Sequence, residues 1–157
     1  TPEAFEQQAQ DGRITLFRGL WQSANLIASE LGWQIEAGEE TRKPLVSERA
    51  RKGSHIAVEA GHVGGFSHRV VLRSATWQCI DLEVTGYLDP RGGEEPSAMS
   101  IEIEGDPQLR VDFHGDVLRP AGSRIGSSAR MINSIKPLAT IEPGFRTAAD
   151  LALVCGR

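Results

Sequence analysis

A chain of 157 residues with 39% apolar and 24% charged content has the make-up of one ordinary globular domain, long enough to bury a core without staples. Its formal net charge is −4 and its Lys and Arg residues are scattered, which argues against nucleic-acid binding, whose footprint is a basic stripe with interleaved aromatics. No apolar run reaches the roughly 18–20 residues of a membrane span, and no secretory leader is visible.

Thr1 and Pro2 read as the N-cap and first position of a short helix through Glu3, Phe5 and Gln7, stopped at Asp11-Gly12. Opening at Thr1 with no initiator Met is expected of an excised or processed piece. Leu20, Ala24, Ile27, Ala28 and Leu31 recur at three and four residues, which predicts a helix over Leu20 to Leu31 with Gly32 as its stop. Trp33 to Val46 reads as extended and Ser47 to Gly53 as a polar connection. The Arg42-Lys43 and Arg49-Arg51-Lys52 clusters read as solvated linker charges, and Glu39-Glu40 and Glu94-Glu95 as ordinary loop charges.

The middle of the chain is patterned at period two. His55 to His62, Cys79 to Leu88, Met99 to Glu104 and Leu109 to His114 alternate apolar and polar side chains, and Phe66 to Trp77 is a long run rich in β-branched residues, as expected of strands in a largely antiparallel sheet. Asp89-Pro90-Arg91-Gly92-Gly93 and Gly105-Asp106-Pro107 are the predicted turns. After Gly122 the period changes. Ser127 or Ser128 is expected to cap a helix through Ala129, Ile132, Asn133 and Ile135 that ends at Pro137, and Leu151 to Val154 is a short apolar strand or turn. Helices at both ends of a run of strands predict an α+β domain: a mixed, largely antiparallel sheet with helices on one face.

Cys79 and Cys155 lie far apart without Cys/His ligand spacing, so reduced thiols in a cytoplasmic protein are expected and a metal site is not. A dinucleotide-binding turn of the G-x-G-x-x-G kind must follow a strand and open a helix. The nearest run, Gly61 to Gly65, lies among strand patterns with no helix after it, so no cofactor-binding residue is assigned here.

Ala129-Arg-Met-Ile-Asn133-Ser-Ile-Lys-Pro followed by Glu142-Pro-Gly-Phe-Arg-Thr-Ala-Ala-Asp150-Leu resembles the closing segment of dihydrodipicolinate reductase-like proteins. The similarity is greatest to the 2,4-diaminopentanoate dehydrogenase branch, which resembles the native amine dehydrogenases. Pro2-Glu3-Ala4-Phe5, the helix from Ser23 to Trp33 and the Gly61-His-Val-Gly-Gly65 junction are also similar. The chain departs from the pattern at Lys136, where Pro often follows directly, and lacks the His-His and Lys-containing substrate motif of true dihydrodipicolinate reductases. The resemblance implies an NAD- or NADP-dependent oxidoreductase whose Rossmann half is absent from this chain. Residues 1–157 would then be a single domain that covers the nicotinamide, binds a small amine, amino acid or keto compound and forms a homodimer or higher oligomer through its sheet.

Five residues are candidates for substrate contact. Arg124 matches an Arg that binds a substrate carboxylate in the true reductases, and a guanidinium beside free helix N–H groups is an anion site on physical grounds. Ser127 belongs to the same expected helix start. His62 and His68 flank Gly64-Gly65, where backbone could approach a ligand and an imidazole could exchange protons. Asn133 can hydrogen-bond backbone and fix the shape of the site. His114 is expected in a solvated pair with Asp112, and Trp21, Trp33 and Trp77 in core or interface packing. No catalytic residue stands out, and the resemblance places the catalytic acid in the other half. The competing reading is a non-catalytic ligand-binding or dimerisation module of the same fold.

Overall fold

The computed structural model describes residues 1–53, 55–88, 99–115 and 120–151, without the side chains of 120–123. They belong to two compact units, Thr1–Gly92 and Gly93–Arg157.

In the first unit, helix α1 spans Pro2–Gln10, and the Thr1 hydroxyl accepts from the Ala4 amide at 3.3 Å. The backbone at the helix start and the Thr1 hydroxyl hold the Glu3 carboxyl below its usual range, as a helix N-terminus does for an acid in its first turn. Helix α2 spans Gly19–Glu30, and Gly32 ends it at φ +68°, a left-handed conformation that glycine adopts without strain. Its small residues Ala24 and Ala28, one turn apart, are the ones it buries.

Those alanines sit on a three-stranded antiparallel sheet of order β1 (Ile35–Val46), β4 (Val63–Ser74), β5 (Cys79–Tyr87). Gly38, Leu72 and Ile80 share one cross-strand row, Glu40, Val70 and Leu82 the next, and Arg42, His68 and Val84 a third. This face carries the core: Val70, Leu72, Ile80, Ala24 and Ala28, with Leu20, Trp33, Ile35 and Leu82 packed against it. Trp21 of α2 lies over Gly38 so closely that a Cβ there would stand 2.5 Å from its ring. The predicted fold class, an α+β domain with a largely antiparallel sheet, is the one observed.

The opposite face is polar and internally paired. Arg69 grips Asp81 with two guanidinium nitrogens, the Ser67 hydroxyl donates to Glu83 at 2.7 Å, and Arg73 reaches the Cys79 sulfur at 3.5 Å. Hydrogen bonds from Arg69 hold the Asp81 carboxyl below its ordinary value. A carboxyl depressed on folding adds stability above its unfolded value, near pH 4, and loses it as pH falls through the folded value. Both side chains are about half exposed, so the contribution is under about 1 kcal/mol. Asp81→Asn is accordingly expected to lose that small contribution at pH 7 and to flatten the acid limb of a melting-temperature profile, so that variant and parent converge as pH falls well below about 4.

Several local expectations are corrected. The stretch His55 to His62 is not one strand: only β3 (Ala57–Val58) pairs, with β2 (Arg51–Lys52). Gly53 donates to the Ile56 carbonyl at 2.8 Å and Gly61 turns at φ +81°, so glycine punctuation overrides the alternation and leaves Ile56 exposed. Strand β4 begins at Val63 and ends at Ser74, where the Ser74 amide donates to the Gln78 carbonyl. Trp77 therefore stands in a turn, 79% exposed, rather than in the core. Glu39, Glu40, Arg42 and Lys43 are strand residues of β1, not loop or linker charges. The connection after Val46 is a knot around buried Ser47, whose amide donates to the His62 carbonyl and whose carbonyl accepts from Gly61, both at 2.8 Å. Its hydroxyl accepts from Arg51 at 2.5 Å, and that guanidinium also meets the Leu88 carbonyl and the Tyr87 ring.

In the second unit, β6 (Met99–Ile103) and β7 (Leu109–Phe113) form an antiparallel hairpin across the predicted Gly105-Asp106-Pro107 turn. Helix α3 runs Pro120–Thr140. It starts well before Ser127, because proline at a first helical position pre-sets the backbone angle and the glycines at 122 and 126 weaken a helix without stopping it. It also continues past Pro137: the missing N–H removes one bond, and the Thr140 hydroxyl donates to the Pro137 carbonyl at 3.0 Å. The predicted Asp89–Gly93 turn, the charges Glu94-Glu95 and the Ala152–Val154 part of the closing strand lie outside the described residues.

Candidate functional site

Among the described residues, the sheet's core face carries one fully buried polar side chain. His68, in the middle of the central strand, has no exposed surface, and its Nε2 lies 2.8 Å from Glu40 Oε1. The same carboxylate oxygen accepts from the Arg42 guanidinium at 2.7 Å. An ionised carboxylate only accepts, so the imidazole proton sits on Nε2. The remaining nitrogen, Nδ1, and the Arg42 Nε are buried without a protein partner among the described residues. Glu40 thus fixes the tautomer and angle of an imidazole inside the sheet–helix layer. Fully covered, that imidazole orders the interior of the first unit.

Glu40 and Arg42 belong to this group although their sequence pattern did not single them out. The signal was present in the alternation Gly38, Glu40, Arg42 within a run already read as extended. A bulge hides it: Ile35 pairs with Ser74 but Ala37 with Arg73. Ile35 faces the core before the bulge and even-numbered residues face it afterwards.

His62 lies elsewhere. It is exposed just before β4, with its carbonyl and amide spent on Ser47 and Glu59. Six residues of extended chain separate the two histidines, about 20 Å. Gly64 and Gly65 between them do not offer backbone to a ligand. A Cβ at Gly64 would meet Ser47 at 2.7 Å and one at Gly65 would meet the Gly86 carbonyl at 2.5 Å, so both glycines serve close strand packing. This run leads into a strand and opens no helix; it does not fit a dinucleotide phosphate.

The other candidates lie on α3. Arg124, Ile125, Ser128, Ala129 and Ile132 recur at helical spacing and line a shallow depression of about 360 Å³. Ser127, also exposed, stands one position off this lining, inside the helix rather than at its cap. The anion site expected at a helix start beside Arg124 is therefore replaced by a helix flank with a guanidinium at one end of an apolar strip. Asn133 is exposed on the opposite side, nine residues and about 180° from Arg124. Its neighbour Ser134 is the buried one, and its hydroxyl donates to the Arg130 carbonyl at 2.7 Å.

The closing motif is built of turns. Arg146 donates twice to the Glu142 carbonyl, at 2.9 and 2.6 Å, across Gly144 at φ +146°. Asp150 accepts from the Thr147 amide at 2.6 Å and hydroxyl at 2.9 Å. Those bonds, the backbone one first, hold its carboxyl below the usual range. His114 is exposed, and the Asp112 carboxylate is gripped by Arg110 instead. Among the described residues no three His, Cys, Asp or Glu side chains are placed to hold a metal ion, and no helix is long and apolar enough to cross a membrane.

The fold is shared with a solved structure, that of an amine dehydrogenase from Mycobacterium smegmatis. The two superpose with a TM-score of 0.79 at 20% sequence identity, over 100% of this chain and 45% of that one. This chain thus spans less than half the length of that enzyme. No curated protein matches the sequence. The sequence profile of the 2,4-diaminopentanoate dehydrogenase C-terminal domain matches residues 1–156, and the chain belongs to that family.

Proposed function

We propose that residues 1–157 are the substrate-binding and self-associating domain of an NAD- or NADP-dependent oxidoreductase acting on an amine or amino-acid-like compound. The observation that carries this reading is the family match over residues 1–156. The nucleotide-binding Rossmann half belongs to another part of the polypeptide, in keeping with a chain that spans 45% of the amine dehydrogenase it resembles in fold. The free, exposed Cys79 thiol suits a reducing, cytoplasmic setting.

On this reading the α3 flank receives the substrate. Ile125, Ala129 and Ile132 meet its apolar body, while Arg124 and Ser127 at the edge meet a carboxylate or keto oxygen. Asn133 supports the shape of that helix; in the first unit His62 marks the start of β4, and His68 holds β1 against β4 through Glu40. The test pairs two measurements. Calorimetry of the 157-residue chain with NADH and NADPH is expected to give no binding, since among the described residues no glycine-rich turn leads from a strand into a helix N-terminus; tight binding would overturn the assignment of halves. In the full-length oxidoreductase, Arg124→Ala is expected to weaken a carboxylated substrate by about 1.5–3 kcal/mol, with partial rescue by Lys. An unchanged KM for carboxylated and uncharged substrates alike would remove Arg124 from the site. Full-length protein with neither dinucleotide binding nor turnover would favour a non-catalytic module.

A further inference from the structure

Between β1 and β4 the chain leaves the sheet at Ser47 and returns at His62, and the two ends meet. The Ser47 amide donates to the His62 carbonyl and the Gly61 amide to the Ser47 carbonyl, both at 2.8 Å. A surface loop closed at its base in this way is an Ω-loop. Inside it, β2 and β3 form a ladder of two residue pairs, Arg51 with Val58 and Lys52 with Ala57. Gly53 closes that ladder by donating to the Ile56 carbonyl at 2.8 Å. None of the described residues between 48 and 62 is buried, and a two-stranded ribbon is marginal in water without packing. The hold on this loop comes from Arg51. Its Nε donates to the Ser47 hydroxyl at 2.5 Å and its Nη1 to the Leu88 carbonyl at 3.2 Å, while the guanidinium lies 5.9 Å from the centre of the Tyr87 ring. Gly53 also rests on Leu88, where a Cβ would stand 2.6 Å from Cδ1.

We propose that residues 48–62 form a strap that opens as a unit on its base at Ser47 and His62, with Arg51 as its latch. Three contacts made by one side chain are lost together, so the closed form is held all at once or not at all. Release uncovers Ser47, which is 1% exposed when closed. It also uncovers the backbone of Gly64, where a Cβ would meet Ser47 at 2.7 Å and the Arg51 Cδ at 3.2 Å. The opening is local. The β1–β4–β5 ladder is paired from Ile35 to Tyr87 without the strap, and the core of Val70, Leu72, Ile80, Ala24 and Ala28 includes no strap residue. A segment whose contacts are separate from the core can open below the free energy of global unfolding. This device also accounts for the glycines of the Gly61-His-Val-Gly-Gly65 run. Gly61, at φ +81°, makes the turn at the base, and Gly64 leaves the space into which Ser47 and the latch fit.

Hydrogen exchange of the 157-residue chain, followed residue by residue, tests the latch. The Gly53 amide and those of the β2–β3 pairs are expected to exchange well ahead of Val70 and Leu72 in the central strand. Arg51→Met should speed the strap amides about 10- to 100-fold, as the loss of hydrogen bonds from a charged group implies, and leave Val70 and Leu72 unchanged. Arg51→Lys should fall between parent and Met variant. It keeps a cation near Tyr87 but cannot hold the Ser47 hydroxyl and the Leu88 carbonyl with one planar group. Strap amides as slow as the central strand in the parent chain overturn the local opening. Equal acceleration of strap and central strand in Arg51→Met makes Arg51 a support of the whole fold and overturns the latch. No acceleration of the strap overturns it as well.

Discussion

Leu72→Ala is expected to cost about 3–5 kcal/mol of folding free energy, the upper part of the range for a buried leucine truncated in a core. Leu72 has no exposed surface and sits on the central strand. The neighbours that would have to collapse into the void are already small: Gly38 lies beside it in the row, and Ala24 and Ala28 face it from α2. Trp21 is wedged over Gly38 and Leu72 together. With nothing flexible to fill the space, the lost contacts are not recovered. For a chain of this size each kcal/mol shifts the melting temperature by about 2–4 °C, so a drop on the order of 10 °C should be seen by calorimetry. Trp77→Ala, removing a larger but exposed side chain, should move the same transition far less. Equal shifts for the two would place the core elsewhere.

The same contrast shows what could be read from the sequence. Helix α2 was legible because its apolar spacing, its small residues and its glycine stop all agree. So were β5 and the hairpin, where alternation runs unbroken, and the body of β4, where the apolar run Val70-Val71-Leu72 marks a central strand. Strand β1 was legible as extended chain but not in its orientation: a one-residue bulge after Ile35 reverses which side chains face the core, and periodicity across a bulge cannot be followed from residue order alone. Arg42 and Glu40 looked like solvated charges for that reason. Helix α3 misled in a different way. Ser127 and Ser128 have the chemistry of a cap, but a cap is needed only where the helix begins, and Pro120 begins it a turn and more earlier. Gly64-Gly65 suggested a ligand's approach. The neighbours that fill the space are Ser47 and the Gly86 carbonyl, contacts that become visible only once three distant segments are brought together.

The buried polar group supplies the second large expected effect. Replacing Glu40 with leucine removes the one side chain that, among the described residues, bonds to His68, and leaves an imidazole N–H inside the layer without that acceptor. Arg42 loses the same oxygen but is part exposed and can turn to water. The cost should be about 3 kcal/mol, since an unpartnered buried donor forfeits its full hydration. His68→Leu should cost much less. Glu40 remains about one-third exposed, keeps Arg42, and can be hydrated, while leucine fills much of the imidazole's volume among Val70, Phe66 and Val84. The double substitution should then be no worse than Glu40→Leu alone, because the stranded imidazole is gone. A double-mutant cycle by urea denaturation measures this directly. The expected result is a large, asymmetric coupling, with most of the loss in the Glu40 variant. Additive effects, or a larger loss from His68→Leu, would mean that the imidazole serves as packing volume and that its bond to Glu40 contributes nothing.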